Sequence, residues 1–191
     1  MENEKSSNLV PLFKKEFESL GGRVHLISTR AASEEIVNIA KDKKVKLAVK
    51  CNFPFEDDFN LPEAFKKTGI QLIEIGAEKT GKTETIAKAD MGLSGADIAI
   101  AETGTIAIVT KKDEDKLTTC LPQVHVAVIP SSSLVHHLTD ALPFLQRTLS
   151  NPQPCVVSFI SGPSRTGDIE MKLVMGVHGP HEVHVVILED K

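Results

Sequence analysis

Apolar residues recur at two spacings along the chain, and the alternation between them predicts the order of its elements. Val10, Phe13 and Phe17 repeat at helical spacing, and a glycine pair then ends that helix, with both phenylalanines as core anchors. Compact apolar runs that are typical of buried strands alternate with further helical patterns. The predicted strands cover residues 24–27, 45–49, 70–75, 124–129, 155–160 and 183–188, and the predicted helices cover 33–40, 61–67, 80–89, 134–138 and 141–149.

This alternation predicts an α/β fold with a mainly parallel sheet and helices on both faces. Two further strand-like runs, Ile98–Ala101 and Ile106–Thr110, flank a polar turn and predict a hairpin that makes the sheet mixed. Pro143 predicts a break or kink in the helical pattern around it. We therefore expect one domain over residues 1–191, with residues 1–8 as a flexible N-terminus.

Composition excludes several classes of function. The chain has 191 residues and a net charge of −4, so it has no global basic field to recruit nucleic acid. Its aromatic residues are all phenylalanine, which argues against base-stacking platforms. No apolar run approaches the roughly 18 residues of a membrane span, and the first residues lack the apolar core of a signal peptide. We expect a cytoplasmic protein without membrane insertion.

Cysteine and histidine spacing argues against a metal centre. The three cysteines form no CxxC motif and match no zinc or iron–sulfur pattern. His181 and His184 are separated by an odd number of residues and would point to opposite faces of one strand. The sequence therefore predicts no metal site and no cofactor bound by this chain. His125, at the start of a strand, is expected to be structural.

The stretch with the densest chemistry is Ser161–Glu170, directly after a strand-like run. A strand followed by a glycine-rich polar loop and a helix start is where open α/β sheets place ligands. Arg165 is suited to grip a carboxylate or phosphate through two parallel hydrogen bonds. An alternative stays open, in which Asp168 caps a helix from Ile169 to Met175 and Arg165 pairs with Glu170. The candidate ligand-binding residues here are Gly162, Pro163, Ser164, Arg165, Thr166, Asp168, Glu170 and Gly179.

Two further candidates for the site are a carboxylate and a histidine. Glu102 begins the turn Glu102-Thr103-Gly104-Thr105 and is a candidate catalytic base or nucleophile, with Thr103, Gly104 and Thr105 as ligand-binding residues. The alternative is turn chemistry alone. His178 is a candidate for anion contact or proton transfer. Asp90 and Asp97 flank a small-residue turn and are expected to cap neighbouring backbone.

Four segments together resemble the LUD-domain family, the lactate-utilisation protein C group. They are 96–105, Pro122–Pro130, Gly162–Glu170 and Gly176–Pro180, in that order over the second half of the chain. Two motifs are the most specific. The first is Gly-Pro-Ser-Arg-Thr with the Asp-Ile-Glu that follows it, and the second is Gly-x-His-Gly-Pro further along the chain. Gly167 stands where many members have alanine.

The resemblance implies a three-layer α/β/α sandwich similar to the NagB/RpiA/CoA-transferase group. It also implies a non-redox role in the oxidation of L-lactate to pyruvate, with a small anionic ligand in a strand-end pocket. The iron–sulfur clusters are then expected in partner proteins of the lactate-utilisation A and B type. One alternative is a stand-alone enzyme that acts on an acyl-CoA or phosphosugar with Glu102 as base or nucleophile. A second is a non-catalytic regulatory or scaffold protein, and a homo-oligomer also stays open.

Overall fold

The computed structural model describes residues 9–51, 60–75, 82–166, 174–175 and 179–189. Its helices are α1 (Val10–Ser19), α2 (Ala32–Asp42), α3 (Leu61–Lys66), α4 (Lys82–Lys88), α5 (Asp113–Cys120) and α6 (Leu138–Leu149). Its strands are β1 (Arg23–Ser28), β2 (Leu47–Lys50), β3 (Gln71–Glu74), β4 (Met91–Gly95), β5 (Ile98–Ile100), β6 (Thr105–Thr110), β7 (Val124–Pro130), β8 (Leu134–Val135), β9 (Val156–Ile160), β10 (Arg165–Thr166), β11 (Val174–Met175) and β12 (Glu182–Glu189).

A six-stranded sheet forms the centre of the molecule, in the order β1-β12-β7-β4-β2-β3. Every pairing described between its neighbours is parallel. Its two faces are apolar, because alternate residues of the buried strands enter different clusters. Val126 and Val128 pack on the side of α2 and α3, whereas Ala127 and Ile129 pack on the side of α1. The predicted α/β fold, with a mainly parallel sheet between helices, is confirmed.

The predicted hairpin forms, but it lies in a second sheet and not in the central one. β5 and β6 pair antiparallel within the order β8-β5-β6-β9. The chain leaves the central sheet at Asp97, whose carboxylate accepts a hydrogen bond of 2.7 Å from the Val109 amide. Both faces of the hairpin are apolar and both are covered. Ile106 and Ile108 join the core under the central sheet, while the other face packs against α6.

The helix α1 packs on the same face of the central sheet as this second sheet. Phe13 and Phe17 are fully buried there, with ring centroids 5.4 Å apart, which confirms their prediction as core anchors. The apolar spacing of α1 thus supplies the contact that fixes the helix over the sheet.

Two helix predictions need correction. Leu134 and Val135 form the short strand β8 parallel to β5, so α6 begins only at Leu138 and continues through Pro143 to Leu149. Val174 and Met175 form a strand paired with Arg165 and Thr166, so the predicted helix does not extend to Met175. In both places strand pairing outweighs the helical spacing of apolar residues. The rest of that predicted helix lies outside the described residues.

None of the helices in the described ranges is both long and apolar enough to cross a membrane.

Candidate functional site

The polar loop predicted as a ligand site begins at Ser161, directly after β9. Because β9 belongs to the second sheet, this loop does not follow a strand of the central sheet, and that expectation is wrong. The Ser164 amide donates to the Pro180 carbonyl at 2.9 Å, two residues before β12, and the His181 amide donates to the Gln123 carbonyl at 2.8 Å, just before β7. The loop therefore lies at the amino ends of two central strands.

This loop lines a cavity of about 280 Å³, which we call the loop cavity. The opposite wall is the C-terminal half of α5, which contributes Lys116, Thr119 and Cys120. Lys116 is the charged residue among the described lining residues. The structure thus brings the predicted residues Gly162, Ser164 and Gly179 together with an ammonium group that the sequence analysis did not select. The remaining lining residues are Ser158, Phe159, Ile160, Ser161, Pro180 and Val183.

Gly162 is required by the path of this loop. Its φ is +128°, and a Cβ atom there would lie 2.9 Å from the carbonyl oxygen of Leu20. Any other residue would therefore push the loop away from the end of α1.

Arg165 contacts the end of α1 as well. Its guanidinium donates to the Leu20 carbonyl, and the side chain is exposed. A cation at the C-terminus of a helix stabilises the carbonyls that have no intrahelical partner. The ligand-binding role of Arg165 stays a prediction, as does that of Pro163 and Thr166. Asp168, Glu170 and His178 lie outside the described residues.

The hairpin tip is joined to the polar loop by hydroxyl groups. The Oγ atoms of Thr105 and Ser161 are 2.8 Å apart, and the Thr103 hydroxyl donates to Thr105 Oγ1 at 2.8 Å. Gly104, at φ +56°, lies directly against the backbone of α1. A Cβ atom at this position would be 2.4 Å from the Phe17 nitrogen. Two segments with separate signals in the sequence are therefore neighbours in the fold.

Glu102 is held at the start of α6. Its Oε1 accepts a hydrogen bond of 2.9 Å from the Leu138 amide, and its Oε2 lies 2.7 Å from His137 Nδ1. The hydrogen bond from His137, followed by that from the Leu138 amide, lowers the pKa of Glu102. The same contact raises the pKa of His137. This geometry is that of a helix cap and makes the carboxylate a weaker base. The catalytic role of Glu102 stays a prediction.

A second cavity, which the sequence analysis missed, lies at the carboxyl ends of β2 and β4. It has a volume of about 90 Å³ and we call it the switch-point cavity. Its lining combines the ends of β2 and β4 with residues of β6 and with Asp115 and Thr119 of α5. The lining residues are Cys51, Ser94, Gly95, Ala96, Asp97, Ile108, Val109, Thr110, Asp115 and Thr119.

The position of this cavity follows from the order of the central strands. The chain moves outward from β2 to β3, whereas after β4 it moves in the other direction to β7 and β12. Adjacent strands whose connections leave in opposite directions open a crevice at their carboxyl ends, and ligands of open α/β sheets bind in such crevices. The turn Ser94-Gly95-Ala96-Asp97 was the available signal, but its small residues were interpreted as a turn and Asp97 as a cap.

Asp90 and Asp97 both accept hydrogen bonds from backbone amides, as the sequence predicted. Asp97 accepts from Val109 as described above, and Asp90 Oδ2 accepts from the amides of Lys46 and Leu47 at 2.8 and 3.0 Å. Burial raises the pKa of Asp97 and raises that of the Cys51 thiol to about 12, so Cys51 is a neutral thiol in this cavity.

His125 lies beneath the switch-point cavity and is fully buried, as expected of a structural histidine. Its Nε2 lies 2.9 Å from Ser94 Oγ. Burial lowers its pKa to about 4, so the imidazole is neutral at pH 7. Within the described part of the chain its Nδ1 has no hydrogen-bond partner.

Comparison with known proteins places the chain in a family. The model of the LUD domain matches residues 10–188. The chain belongs to the LUD-domain family. This confirms the resemblance on which the sequence analysis relied.

Three relatives of this LUD-domain chain are named lactate utilization protein C. It is 27% identical over 193 residues to lactate utilization protein C of Halalkalibacterium halodurans, a match covering 100% of this chain and 84% of that protein. It is 28% identical over 175 residues to lactate utilization protein C of Oceanobacillus iheyensis, covering 87% of this chain and 75% of that protein. The match to lactate utilization protein C of Shouchella clausii is 39% identical over 104 residues but covers 54% and 45% of the two chains.

A solved structure supports the fold of the LUD domain. The crystal structure of a DUF162 family protein from Deinococcus radiodurans superposes with a TM-score of 0.67. The superposition covers 96% of this chain and 98% of that chain, at 16% sequence identity. At this identity the likeness shows a shared fold.

Proposed function

We propose that this LUD-domain chain works in lactate utilisation as a subunit without a redox centre of its own. The system would oxidise L-lactate to pyruvate, with its iron–sulfur clusters in partner proteins of the lactate-utilisation A and B type. The role in lactate utilisation is supported by the common name of the relatives. The chain has three cysteines, one fewer than the four thiolates of an ordinary cluster, which favours clusters in the partners.

The observation that carries the ligand part of the proposal is the loop cavity. Its size suits a small organic acid, and Lys116 offers an ammonium group to a carboxylate. Hydroxyl groups of Ser161 and Ser164 lie in the same wall and are suited to donate to carboxylate oxygens. The ligand is therefore a small anion, with lactate and pyruvate as the first compounds to test.

Binding is tested by titrating the purified chain with L-lactate and pyruvate, using thermal stability and calorimetry as readouts. A ligand at about 100 times its Kd adds roughly 2.7 kcal/mol to the free energy of unfolding, which is easily seen. Lys116→Gln should abolish the shift, because it removes the positive charge and keeps a polar, unbranched side chain at this position. Lys112→Gln, an exposed lysine just before α5, is the matched control and should bind as the native chain does. Binding that survives Lys116→Gln would remove the loop cavity from the proposal.

Assembly is tested separately, by co-expression with iron–sulfur proteins of the A and B type. The three chains should copurify, and lactate-dependent electron transfer should fall when this chain is omitted. Full activity without this chain would contradict the subunit role, whatever the outcome of the ligand titration.

The alternative of a stand-alone enzyme relied on Glu102 as base or nucleophile. The described geometry gives it little support, because both carboxylate oxygens of Glu102 are engaged at the start of α6.

A further inference from the structure

The switch-point cavity is not used by the proposed function, and its chemistry differs from that of the loop cavity. Its described lining includes two carboxyl groups, Asp97 and Asp115, and no ammonium or guanidinium group. A small carboxylate such as lactate would be repelled there. The other polar side chains are uncharged: the hydroxyls of Ser94, Thr110 and Thr119 and the thiol of Cys51.

The pair of Ser94 and His125 resembles the start of a catalytic dyad, but the surroundings of the imidazole argue against that role. A general base must become an imidazolium ion in the transition state, and a carboxylate on the other ring nitrogen normally stabilises it. Here the imidazole is fully buried, and its Nδ1 meets no partner among the described residues. A charged ring would be strongly disfavoured in this position.

The same surroundings favour one direction of the hydrogen bond. A buried N–H group without an acceptor is rarer in proteins than an acceptor without a donor. The neutral imidazole is therefore expected to carry its proton on Nε2 and to donate it to Ser94 Oγ, across the 2.9 Å contact. The Ser94 hydroxyl proton is then left to point elsewhere, and Ser94 lines the cavity.

Asp97 supplies the complementary group. Its Oδ2 is engaged by the Val109 amide at 2.7 Å, which holds the carboxyl in place at the cavity wall. The carboxyl retains further acceptor capacity for a ligand hydroxyl. Ser94 therefore offers a donor and Asp97 an acceptor at the two sides of one turn.

We propose that the switch-point cavity is a second binding site, which takes an uncharged hydroxyl-bearing group, such as a small polyol or one end of a sugar, between Ser94 and Asp97. One ligand hydroxyl accepts from Ser94, and a neighbouring hydroxyl donates to Asp97. The ligand of this site differs in chemistry from the anion proposed for the loop cavity. Its volume of about 90 Å³ is room for a few heavy atoms, so a larger sugar would enter with one end only.

The test is an NMR titration of the ¹⁵N-labelled chain with erythritol, D-ribose and L-lactate. Erythritol or ribose should shift the amides of Gly95 and Ala96 in a saturable way, and L-lactate should not. Ser94→Ala should weaken this binding about fivefold to tenfold, the usual effect of losing one hydrogen bond between uncharged groups. Asp97→Asn should weaken it by ten-fold or more, because it removes a charged acceptor while keeping the shape.

Two controls separate this site from its alternatives. Ser150→Ala removes an exposed hydroxyl at the end of α6 and should leave binding unchanged. Lys116→Gln should also leave it unchanged, since Lys116 lines the other cavity. The proposal is overturned if neither polyol shifts Gly95 or Ala96, if binding survives both Ser94→Ala and Asp97→Asn, or if L-lactate is the compound that binds there. Should Ser94→Ala fail to fold, the native titration and Asp97→Asn still decide.

Discussion

The two cavities of this LUD domain are built in different ways. The loop cavity is walled by a polar loop whose path depends on contacts with the end of α1, and it holds a lysine. The switch-point cavity is walled by strand ends of the central sheet, by β6 and by α5, and its polar groups are uncharged or acidic. The first was visible in the sequence as a dense motif, whereas the second arises from the order of the strands.

This difference shows two routes by which one fold makes a binding site. A loop site needs unusual residues at consecutive positions, such as Gly162 and Ser164, so it leaves a local signature. A strand-end site needs ordinary residues, such as Ser94, at the place where the connections diverge. The helix α5 stands between the two, because Thr119 lines both cavities.

The largest effect is expected from a change that displaces α5 and so disturbs both cavities at once. A Cβ atom on Gly92 would lie 2.0 Å from the Thr118 carbonyl oxygen, which is backbone and cannot rotate away. Gly92→Ala should lower the free energy of unfolding by about 3 kcal/mol. Chemical denaturation measures this.

The control for that variant is Gly69→Ala. Gly69 has a φ of +75°, but a Cβ atom there would meet no heavy atom of the described residues within 4 Å. Gly69→Ala should lower the free energy of unfolding by about 1 kcal/mol, which is the cost of the backbone strain alone. Equal losses for the two variants would mean that the contact between β4 and α5 is not as tight as the geometry indicates.

Acid should lower the free energy of unfolding by a comparable amount. One group responsible is His125, which lies beside the switch-point cavity. The pKa of His125 is about 4 in the folded chain, against 6.5 without perturbation. Between these two pH values the unfolded chain binds a proton at His125 and the folded chain does not. The contribution of His125 to the free energy of unfolding is therefore fully present above pH 6.5 and is lost as the pH falls towards 4. The loss is on the order of 3 kcal/mol.

His125→Asn should reduce this pH dependence, although it also removes buried volume. Part of the dependence should remain, because burial likewise lowers the pKa of His184 to about 4. Free energies of unfolding at several pH values between 4 and 7 give the slope. An unchanged slope in the variant would show that His125 is not one of the groups responsible.

The smallest effect on stability is expected at the loop. Arg165→Gln removes an exposed cation from the end of α1 and should cost less than about 1 kcal/mol. Arg147→Gln, on α6, is the control for a general loss of charge. If Arg165→Gln also abolishes anion binding, the arginine belongs to the ligand site. If it unfolds the chain, the contact with Leu20 is structural and the predicted ligand role is wrong.

The sequence predicted the elements well where apolar spacing and burial agree. The spacing of Phe13 and Phe17 and the apolar run 126–129 of β7 agree with the burial of these residues, so α1 and the central strands were found. The partners of a strand are not encoded in its own spacing. For that reason β5, β6 and β9 were recognised as strands but assigned to the central sheet.

The candidate site was predictable in part for the same physical reason. Glycine and hydroxyl residues at Gly162, Ser164 and Thr105 mark local turns, and the fold brings them together. Lys116 lies on an ordinary solvated helix with no local mark of its role. Ser94 likewise gained its significance only when the register between β4 and β7 placed it beside His125.

The shared wall has a thermodynamic consequence. Thr119 faces the loop cavity and the switch-point cavity from one turn of α5, and Gly92 leaves that helix almost no room against β4. A ligand that moves this helix in one cavity therefore changes the space available in the other. Linkage then requires the influence to be reciprocal, with the same free energy in both directions. Binding in one cavity would then be measurable as a change of affinity in the other.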